Sequence, residues 1–314
     1  MSDTKPTFAI MGAGAIGAYY GGRLAEAGFD VAFIARGDHL AAMRRDGLKI
    51  LSPIGNATIK PVNATDDPAS VGPVDFVFFM VKLYDTHAAA RQMAPLVGPD
   101  TTIVPFQNGV DVAGRFGDMV PADRLMGGTT YIPAAIEAPG VIRHGGKFAR
   151  LVFGELGGGG SARAERLHTA LEAADIRAKI ADDTEKELWT KFVLLAAFSA
   201  VTGIARLPIG PIWAEPAGRA MVEAAMREVA AVGRGLGVAL DDDVVDVHLA
   251  QTDKLPAGMK SSLLQDLERG KRLEVADLSG AVVRLGAGLG IATPVHATAL
   301  GALMPHADGA PTTA

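Results

Sequence analysis

The sequence has no cysteine among its 314 residues, and its basic residues are few and scattered. The absence of cysteine excludes a disulfide framework, a thiol nucleophile and a zinc–thiolate site. Lys and Arg number 30 against 35 for Asp and Glu, which gives a net charge of −5. Because no dense Lys/Arg stripe overrides that balance, a nucleic-acid-binding surface is not expected.

Long hydrophobic runs are missing as well. The most apolar stretches, residues 74–81 and 192–205, are too short to span a bilayer. Residues 1–7 are polar and lack the apolar core of a signal peptide. The seven histidines are scattered without metal-ligand spacing. The sequence therefore predicts a cytoplasmic protein with no membrane segment and no metal site.

Residues 8–17 read FAIMGAGAIG, an apolar strand that runs directly into a G-x-G-x-x-G motif. Gly12 would make the tight turn, Gly14 would let backbone approach a pyrophosphate, and Gly17 would let the following helix press against the sheet. Ala13, Ala15 and Ile16 complete this predicted cofactor-binding loop, which places the pyrophosphate at a helix N-terminus. A purely structural turn is the alternative. A helical stretch at 18–27 and a second strand at 30–35 favour dinucleotide binding.

Strands and helices alternate through the first half of the chain. After the glycine motif we predict a helix at 38–45, a buried strand at 74–81, a helix at 84–94 and a strand at 101–106. This βαβ order predicts an α/β fold with a doubly wound parallel sheet, a Rossmann domain over residues 1–181. Short β-like segments in 124–153 suggest antiparallel additions at the sheet edge, followed by a helix at 162–173 and a last strand at 176–180.

The second half has helical periodicity and predicts an all-helical substrate domain over residues 182–314. The helices are expected at 184–202, 216–236, 242–249, 261–270 with a continuation through 284, and 294–303. The tail from about residue 305 has the composition of disorder. Two such domains would leave a cleft, where ligands commonly bind. Apolar helix faces in this half are compatible with a homodimer.

Cofactor choice follows from the end of the second strand, which reads Ile34-Ala35-Arg36. An NAD enzyme usually has Asp or Glu there, to bind the ribose 2′-hydroxyl. The planar, permanently charged fork of Arg36 suits a 2′-phosphate instead. The prediction is therefore NADP(H). Asp38 is the competing candidate, although its place before a helical stretch is better explained as an N-cap.

Two polar residues follow neighbouring strands at the edge where open α/β sheets bind ligands. Lys82 comes directly after the buried strand, and Asn108 comes after the next one. Taken alone, Lys82 could equally be a solvated surface lysine, and Asn108 could equally belong to a simple turn. Together they favour a site on the cofactor side of the sheet.

Lys191 lies within one of the most apolar stretches of the chain. On a helix it shares a face with Leu195, Ser199 and Thr202. The alternative is a lysine that extends past the edge of the helix into solvent. A partly desolvated amine loses its proton more readily and can serve as a general acid. Ser262 and Glu274 have a spacing that permits them to point into the same cleft, although Glu274 alone is typical of a charged surface residue.

Taken together, these motifs resemble the ketopantoate reductase family over residues 7–294. The motifs, in the order in which the family has them, are GAGAIG, ARG after the second strand, VK and QNG after the next two, W-x-K in a helix, SS-x-LQD and EVAD. The resemblance implies a Rossmann domain followed by a helical domain. It also implies NADPH-dependent reduction of the 2-oxo acid 2-dehydropantoate to pantoate, a step of pantothenate biosynthesis.

The resemblance also implies roles for individual residues. Lys191 matches the lysine that protonates the substrate carbonyl oxygen, and Glu274 matches the glutamate that holds the substrate hydroxyl. Ser262 matches a substrate-contacting serine, whereas Asn108 and Lys82 match residues that line the nicotinamide and substrate region. The three glycines and Arg36 match the family's phosphate-binding groups. Ser199 lies on the face of Lys191 and is included as a substrate-binding candidate.

Three positions depart from the family pattern. Leu195 and Ser199 stand where the lysine-bearing helix has asparagines, and a third asparagine is replaced near Ile209. A buried polar substrate group without its partner costs about 1–3 kcal/mol, so these changes favour a less polar substrate. Two alternatives therefore stay open. One is a related reductase of another 2-oxo acid or a less polar ketone, and the other is a non-catalytic NADP(H) sensor.

Overall fold

The computed structural model describes residues 5–311, which group into two compact units. The N-terminal unit contains the described residues up to Gln107 and then Asp111–Glu185. The C-terminal unit contains Asn108–Val110 and the described residues from Lys186 onward. The segment Asn108–Val110 thus packs with a part of the chain that lies far from it in sequence.

The elements follow one another in α/β order and then in an all-helical series. The strands are β1 (Phe8–Met11), β2 (Val31–Ile34), β3 (Leu48–Leu51), β4 (Ala57–Ile59), β5 (Ala64–Thr65), β6 (Val74–Phe79), β7 (Val97–Pro105), β8 (Met126–Tyr131), β9 (Ala134–Ala138), β10 (Val141–His144), β11 (Arg150–Glu155) and β12 (Ala178–Ile180). The helices are α1 (Ala15–Glu26), α2 (Gly37–Asp46), α3 (Thr86–Gln92), α4 (Val112–Phe116), α5 (Ala162–Ala173), α6 (Thr184–Ala205), α7 (Ile209–Ala214), α8 (Pro216–Gly235), α9 (Val244–Thr252), α10 (Ser262–Glu268), α11 (Ser279–Leu289) and α12 (Pro294–Leu303).

The main sheet is parallel, with strand order β5-β2-β1-β6-β7. The strands β1 and β6 lie at its centre and are apolar along nearly their whole length because both faces are covered. Alternate residues enter two separate hydrophobic cores: Phe8, Ile10, Phe76 and Phe78 on one face, and Ala9, Met11, Val77 and Phe79 on the other. This arrangement confirms the predicted doubly wound parallel sheet.

The β-rich segment 124–153 forms antiparallel pairs, as predicted, but not mainly at the edge of this sheet. The strands β8 and β11 join β12 in a three-stranded sheet, and β9 and β10 join β3 and β4 in a four-stranded one. Among the described residues, one isolated β-bridge between Ile103 and Leu125 pairs this region with β7, and Gly128 of β8 lies against Val104 of β7. The expectation was incomplete because β3 and β4, the strands that pair with the second group, had not been recognised.

The C-terminal unit is helical, which confirms that part of the predicted fold. Its first long helix, α6, has 22 residues and is long and apolar enough to cross a membrane. Of its most apolar window, 61% is buried within the protein, which is typical of a core helix. The helix is longer than the 192–205 run because polar residues extend it at the N-terminal end.

Two expectations for this half were wrong. The predicted continuous helix over 261–284 is broken between α10 and α11, where Gly270 adopts a positive φ of 60°. The predicted disorder from residue 305 does not hold for the described residues, which end at 311. There, the Leu273 N–H donates to the Ala307 carbonyl at 2.9 Å and the Ala310 N–H donates to the Gly270 carbonyl at 3.3 Å.

Candidate active site

The turn between β1 and α1 gives each glycine a different steric requirement. Gly12 has φ of +96°, and a Cβ there would lie 2.7 Å from the Val81 backbone nitrogen. A Cβ on Gly17 would lie 2.4 Å from the Gly12 carbonyl oxygen, so this glycine permits α1 to pack against the turn. A Cβ on Gly14 would meet nothing within 4 Å. The space beside Gly14 is therefore open, although the turn on either side of it is tightly packed.

This turn has the features that a dinucleotide pyrophosphate needs. Gly14 caps α1 without a side-chain hydrogen bond, and the first turn of the helix carries no acidic residue. The first N–H groups of a helix have no partner within it and attract an anion. The open space beside Gly14 leads to these groups, and a side chain there would fill it. The residues present thus fit a dinucleotide, which Gly12, Gly14 and Gly17 would hold if it bound at this turn.

Arg36 follows β2, and its side chain is 86% exposed. Its guanidinium donates to the Asp85 carboxylate at 2.8 Å. Arg36 is also the N-cap residue of α2, whereas Asp38 lies inside the first turn of that helix. The interpretation of Asp38 as an N-cap was therefore wrong by two positions. Its carboxylate instead contributes favourable charge to the first turn.

Lys82 and Asp85 bracket a short helical turn after β6. Lys82 caps this turn, and its carbonyl accepts from the Asp85 N–H at 2.9 Å. The turn is tied to the end of β7 by Gln107, whose amide donates to the Val81 carbonyl and the Thr86 hydroxyl, each at 2.9 Å. Sequence reasoning missed Gln107 and Asp85. The QNG run was a signal for Gln107, but nothing in the sequence indicated the partner of Arg36.

Lys191 lies in α6, and its ammonium donates to the Asn108 side-chain carbonyl at 3.2 Å. Lys191 as a whole is partly exposed, but burial around its ammonium lowers its pKa from 10.5 to about 8. The Glu274 carboxylate opposes that shift because it favours the charged amine. The predicted residues Lys191, Asn108 and Glu274 thus interact within the C-terminal unit.

Glu274 is buried, at 6% exposure, and lies in the irregular segment between α10 and α11. Its carbonyl accepts from the N–H groups of Asp277 at 3.1 Å and Leu278 at 2.9 Å, which fix the backbone just before α11. A surface location for Glu274 was the alternative suggested by its residue type. The burial of Glu274, together with its electrostatic effect on Lys191, favours the functional interpretation.

The two adjacent serines at the start of α10 have different environments. The Ser261 hydroxyl is buried, accepts from the Leu264 N–H at 3.0 Å and contacts the Thr202 hydroxyl at 2.7 Å. Ser261 therefore caps the helix and joins it to α6. Ser262 is the first residue of α10 and is exposed. Its exposure leaves it accessible to a ligand, as the substrate-contact prediction requires.

The three positions that depart from the family pattern are spread over two helices. Leu195 is partly buried one turn after Lys191 on α6, and Ser199 is buried one turn further on. Ile209 begins α7 and is 1% exposed, with its N–H donating to the Met259 carbonyl at 3.0 Å. Leu195 and Ile209 bring apolar side chains to two of the positions where the family resemblance implies asparagines.

The chain matches known proteins along almost its whole length. The family profile "Ketopantoate reductase PanE/ApbA" matches residues 8–158, and the profile of its C-terminal part matches residues 183–307. The uncharacterized oxidoreductase YkpB of Bacillus subtilis is 30% identical over 93% of this chain and 95% of its own. The 2-dehydropantoate 2-reductase of Archaeoglobus fulgidus is 33% identical, covering 93% of this chain and 94% of that protein.

A solved structure agrees with these sequence matches. The PanE/ApbA family ketopantoate reductase from Ralstonia eutropha JMP134 superposes with a TM-score of 0.88 at 33% identity, covering 96% of this chain and 98% of that one. Enzymes of this family are oxidoreductases that act on the CH–OH/C=O pair of small keto acids. Since both halves of the chain match the family, and relatives reach 30% identity or more over nine-tenths of it, the chain belongs to the ketopantoate reductase family.

Proposed function

We propose that the protein is an NADPH-dependent reductase of a 2-oxo acid, with 2-dehydropantoate as the first candidate substrate and pantothenate biosynthesis as its role. The observation that carries this proposal is the environment of Lys191. Its ammonium donates a hydrogen bond to Asn108, and its pKa is lowered to about 8. A group with a pKa near neutral pH exchanges its proton efficiently with a reacting oxygen. A protein that only binds the cofactor has no need of such a group.

The cofactor, when bound, supplies a hydride to the carbonyl carbon of the substrate, and this leaves negative charge on the carbonyl oxygen. Lys191 stabilises that charge and donates its proton to the oxygen. Asn108 orients the amine through its side-chain carbonyl. Glu274 favours the protonated amine before the reaction and, following the family resemblance, holds the substrate hydroxyl. Ser262 and Ser199 are the remaining proposed substrate contacts.

The cofactor assignment is supported by the N-terminal unit. Gly12, Gly14 and Gly17 would hold the pyrophosphate, with Ala13, Ala15 and Ile16 supplying the intervening backbone. Arg36 is exposed after β2, where a 2′-phosphate would lie. Lys82 would lie at the nicotinamide side, by its resemblance to the family. The cytoplasmic location and the homodimer stay predictions from the sequence.

The test is oxidation of NADPH with a panel of 2-oxo acids, measured for the unaltered protein and for Lys191→Ala. Removal of a general acid is expected to lower kcat/KM by about 10²- to 10⁴-fold. Lys186→Ala is the matched control because Lys186 lies on the same helix and pairs with Asp241 at 2.7 Å. Equal rates in both variants would contradict the role of Lys191. Tight NADPH binding without turnover of any substrate would favour the sensor.

A second candidate, reduction of a less polar 2-oxo acid, is favoured by Leu195 and Ile209. The deciding comparison is 2-dehydropantoate against 3,3-dimethyl-2-oxobutanoate, which differs only in lacking the 4-hydroxyl. A site with amides for that hydroxyl should prefer 2-dehydropantoate, because the compound without the hydroxyl leaves those buried amides unpaired at a cost of about 1–3 kcal/mol. A preference for the compound without the hydroxyl would assign this chain to the second candidate. Leu195→Asn should then shift the ratio back toward 2-dehydropantoate.

A further inference from the structure

The ion pair between Arg36 and Asp85 joins two strand ends that are not neighbours in the main sheet. Arg36 follows β2, and Asp85 belongs to the turn after β6, whereas β1 lies between these strands. The pair therefore crosses the carboxyl end of β1, just outside the turn that contains Gly12 and Gly14. A dinucleotide bound at that turn would have its adenosine ribose beside this ion pair.

The two partners are held very differently. Asp85 is tied through its N–H to the Lys82 carbonyl, and its side chain is only 24% exposed. The Arg36 side chain is 86% exposed, so it is the partner that can move to a new anion. Arg36 is thus bound to a carboxylate in this structure. A 2′-phosphate has to replace that carboxylate.

We propose that Asp85 is a cofactor-specificity residue whose carboxylate competes with the 2′-phosphate of NADPH for Arg36. This inference rests on the proposed use of NADPH. The competition acts on one cofactor only, because NADH carries an uncharged hydroxyl at the same position. Asp85 therefore narrows the preference for NADPH over NADH and allows both to bind.

Two physical effects of Asp85 both weaken the binding of the 2′-phosphate. Binding of the phosphate breaks a charge-assisted hydrogen bond of 2.8 Å, which belongs to the stronger class of hydrogen bonds. The Asp85 carboxylate, no longer bound to Arg36, then lies near a phosphate of the same sign, and the two repel each other. Because the site is exposed, salt screens part of this effect. We expect the lost ion pair and the added repulsion together to change the affinity about tenfold at low salt, which corresponds to about 1.4 kcal/mol.

The experiment is isothermal titration of Asp85→Asn with NADPH, NADH, 2′,5′-ADP and 5′-AMP. The substitution keeps the size of the side chain and removes its charge. NADPH and 2′,5′-ADP are expected to bind about tenfold more tightly, with the gain shrinking as salt is raised. NADH and 5′-AMP should change by less than about threefold. The short nucleotides report the 2′-phosphate contact without any contribution from catalysis.

The matched control is Asp66→Asn. Asp66 follows β5 at the same edge of the sheet and pairs with Arg44 at 3.4 Å, so its removal changes net charge without freeing Arg36. This variant should leave the NADPH to NADH ratio unaltered. In the background of Arg36→Ala, the gain from Asp85→Asn should be much smaller, because the competition no longer has a target.

Three results would overturn the inference. Unchanged or weaker NADPH binding in Asp85→Asn would mean that Asp85 only holds Arg36 in position. If Asp85→Asn tightened the binding of NADPH and NADH equally, Asp85 would act on a group that both cofactors share and not on the 2′-phosphate. An equal gain with and without Arg36 would exclude competition for that residue. Failure of the NADPH proposal itself gives a different result, since Arg36→Ala alone would then leave the cofactor preference unchanged.

Discussion

Two opposing influences act on the pKa of the Lys191 ammonium. Burial of its ammonium favours the neutral amine, whereas the Glu274 carboxylate favours the charged one. The balance leaves a pKa of about 8, below the ordinary value of 10.5. The amine is therefore mostly protonated at neutral pH yet releases its proton far more readily than a lysine on the surface. The proposed reduction would use the protonated form.

The first prediction is a pH profile with a defined sign. The kcat/KM for reduction should be flat at neutral pH and fall tenfold per unit as pH rises beyond about 8, because neutral Lys191 has no proton to donate. The reverse oxidation should rise over the same range. Lys191→Arg should retain its charge and lose this decline, at a lower rate. A decline that persists unchanged in Lys191→Arg would assign the titration to another group.

The sequence indicated these site residues one by one but not most of their partners. Lys191 was recognised because a lysine in an apolar helix is unusual, and its pairing with Asn108 spans 83 positions. The pairing of Arg36 with Asp85 spans 49 positions and depends on the order of strands in the sheet. No local pattern encodes such a contact. Arg36 and Asp85 come together only because of the order of the strands in the folded sheet.

At the scale of elements, the turn between β1 and α1 shows most clearly why the sequence has glycine at particular positions. Gly12 and Gly17 are required by the packing of the protein itself, because a Cβ at either would meet backbone at less than 3 Å. Gly14 is not required by packing, since its surroundings are open. Its backbone φ of −74° also suits any L-residue. The packing of the protein itself therefore gives no reason for a glycine at position 14, whereas the proposed pyrophosphate contact would give one.

The second prediction separates these two requirements with matched substitutions. Gly14→Ala should keep the thermal stability of the protein and weaken NADPH binding, because the added methyl projects into the proposed pyrophosphate space. Gly12→Ala should lower the unfolding free energy by about 2 kcal/mol or more, because of its positive φ and the contact with Val81. Differential scanning calorimetry and NADPH titration measure the two effects. A stable Gly14→Ala with undiminished NADPH affinity would contradict the proposed cradle.

The secondary structure was predictable where the hydrophobic pattern was long. The strands β1 and β6 were found because both faces are buried, and the helices α5 and α12 because their periodicity ends at clear signals. Short elements such as β3, β4 and β5 were missed, since two to four residues carry little periodicity. The break before α11 was missed because residues 271–278 have an apolar content similar to that of a helix.

At the scale of the whole molecule, the C-terminal unit contains a buried polar cluster that joins three helices. Glu228 on α8 accepts from the N–H groups of Val295 and His296 at 2.8 and 3.0 Å, which caps α12. The His296 ring donates to the Ala225 carbonyl at 3.2 Å and accepts from the Ser279 hydroxyl at 3.2 Å. Burial lowers the pKa of His296 from 6.5 to about 4.

The third prediction is a loss of stability in acid. Below pH 6.5 the unfolded chain protonates this histidine while the folded one does not, so stability falls until pH reaches about 4. The loss is on the order of 3 kcal/mol. Burial raises the pKa of Glu228, and that group partly offsets the loss because acid favours its folded form. Both tryptophans, Trp189 and Trp213, lie in the C-terminal unit and report its unfolding by fluorescence.

A pair of variants tests the assignment. His296→Gln should be less stable at pH 7, yet its stability should change less between pH 6.5 and 4 than that of the unaltered protein. His87→Gln removes an exposed histidine of α3 and should leave the acid profile as it was. If the profile of His296→Gln keeps its full steepness, the acid sensitivity originates elsewhere.

The short segment Asn108–Val110 limits how this protein can be divided or recombined. It groups with the C-terminal unit, although the residues on both sides of it belong to the other one. A chimera joined after Glu185 would take Lys191 from one parent and Asn108 from the other. The Lys191 ammonium would then face a residue 108 that comes from the other parent protein. Exchange of the helical half between relatives therefore transfers Lys191, the proposed proton donor, together with its hydrogen-bond partner only when residues 108–110 are exchanged as well.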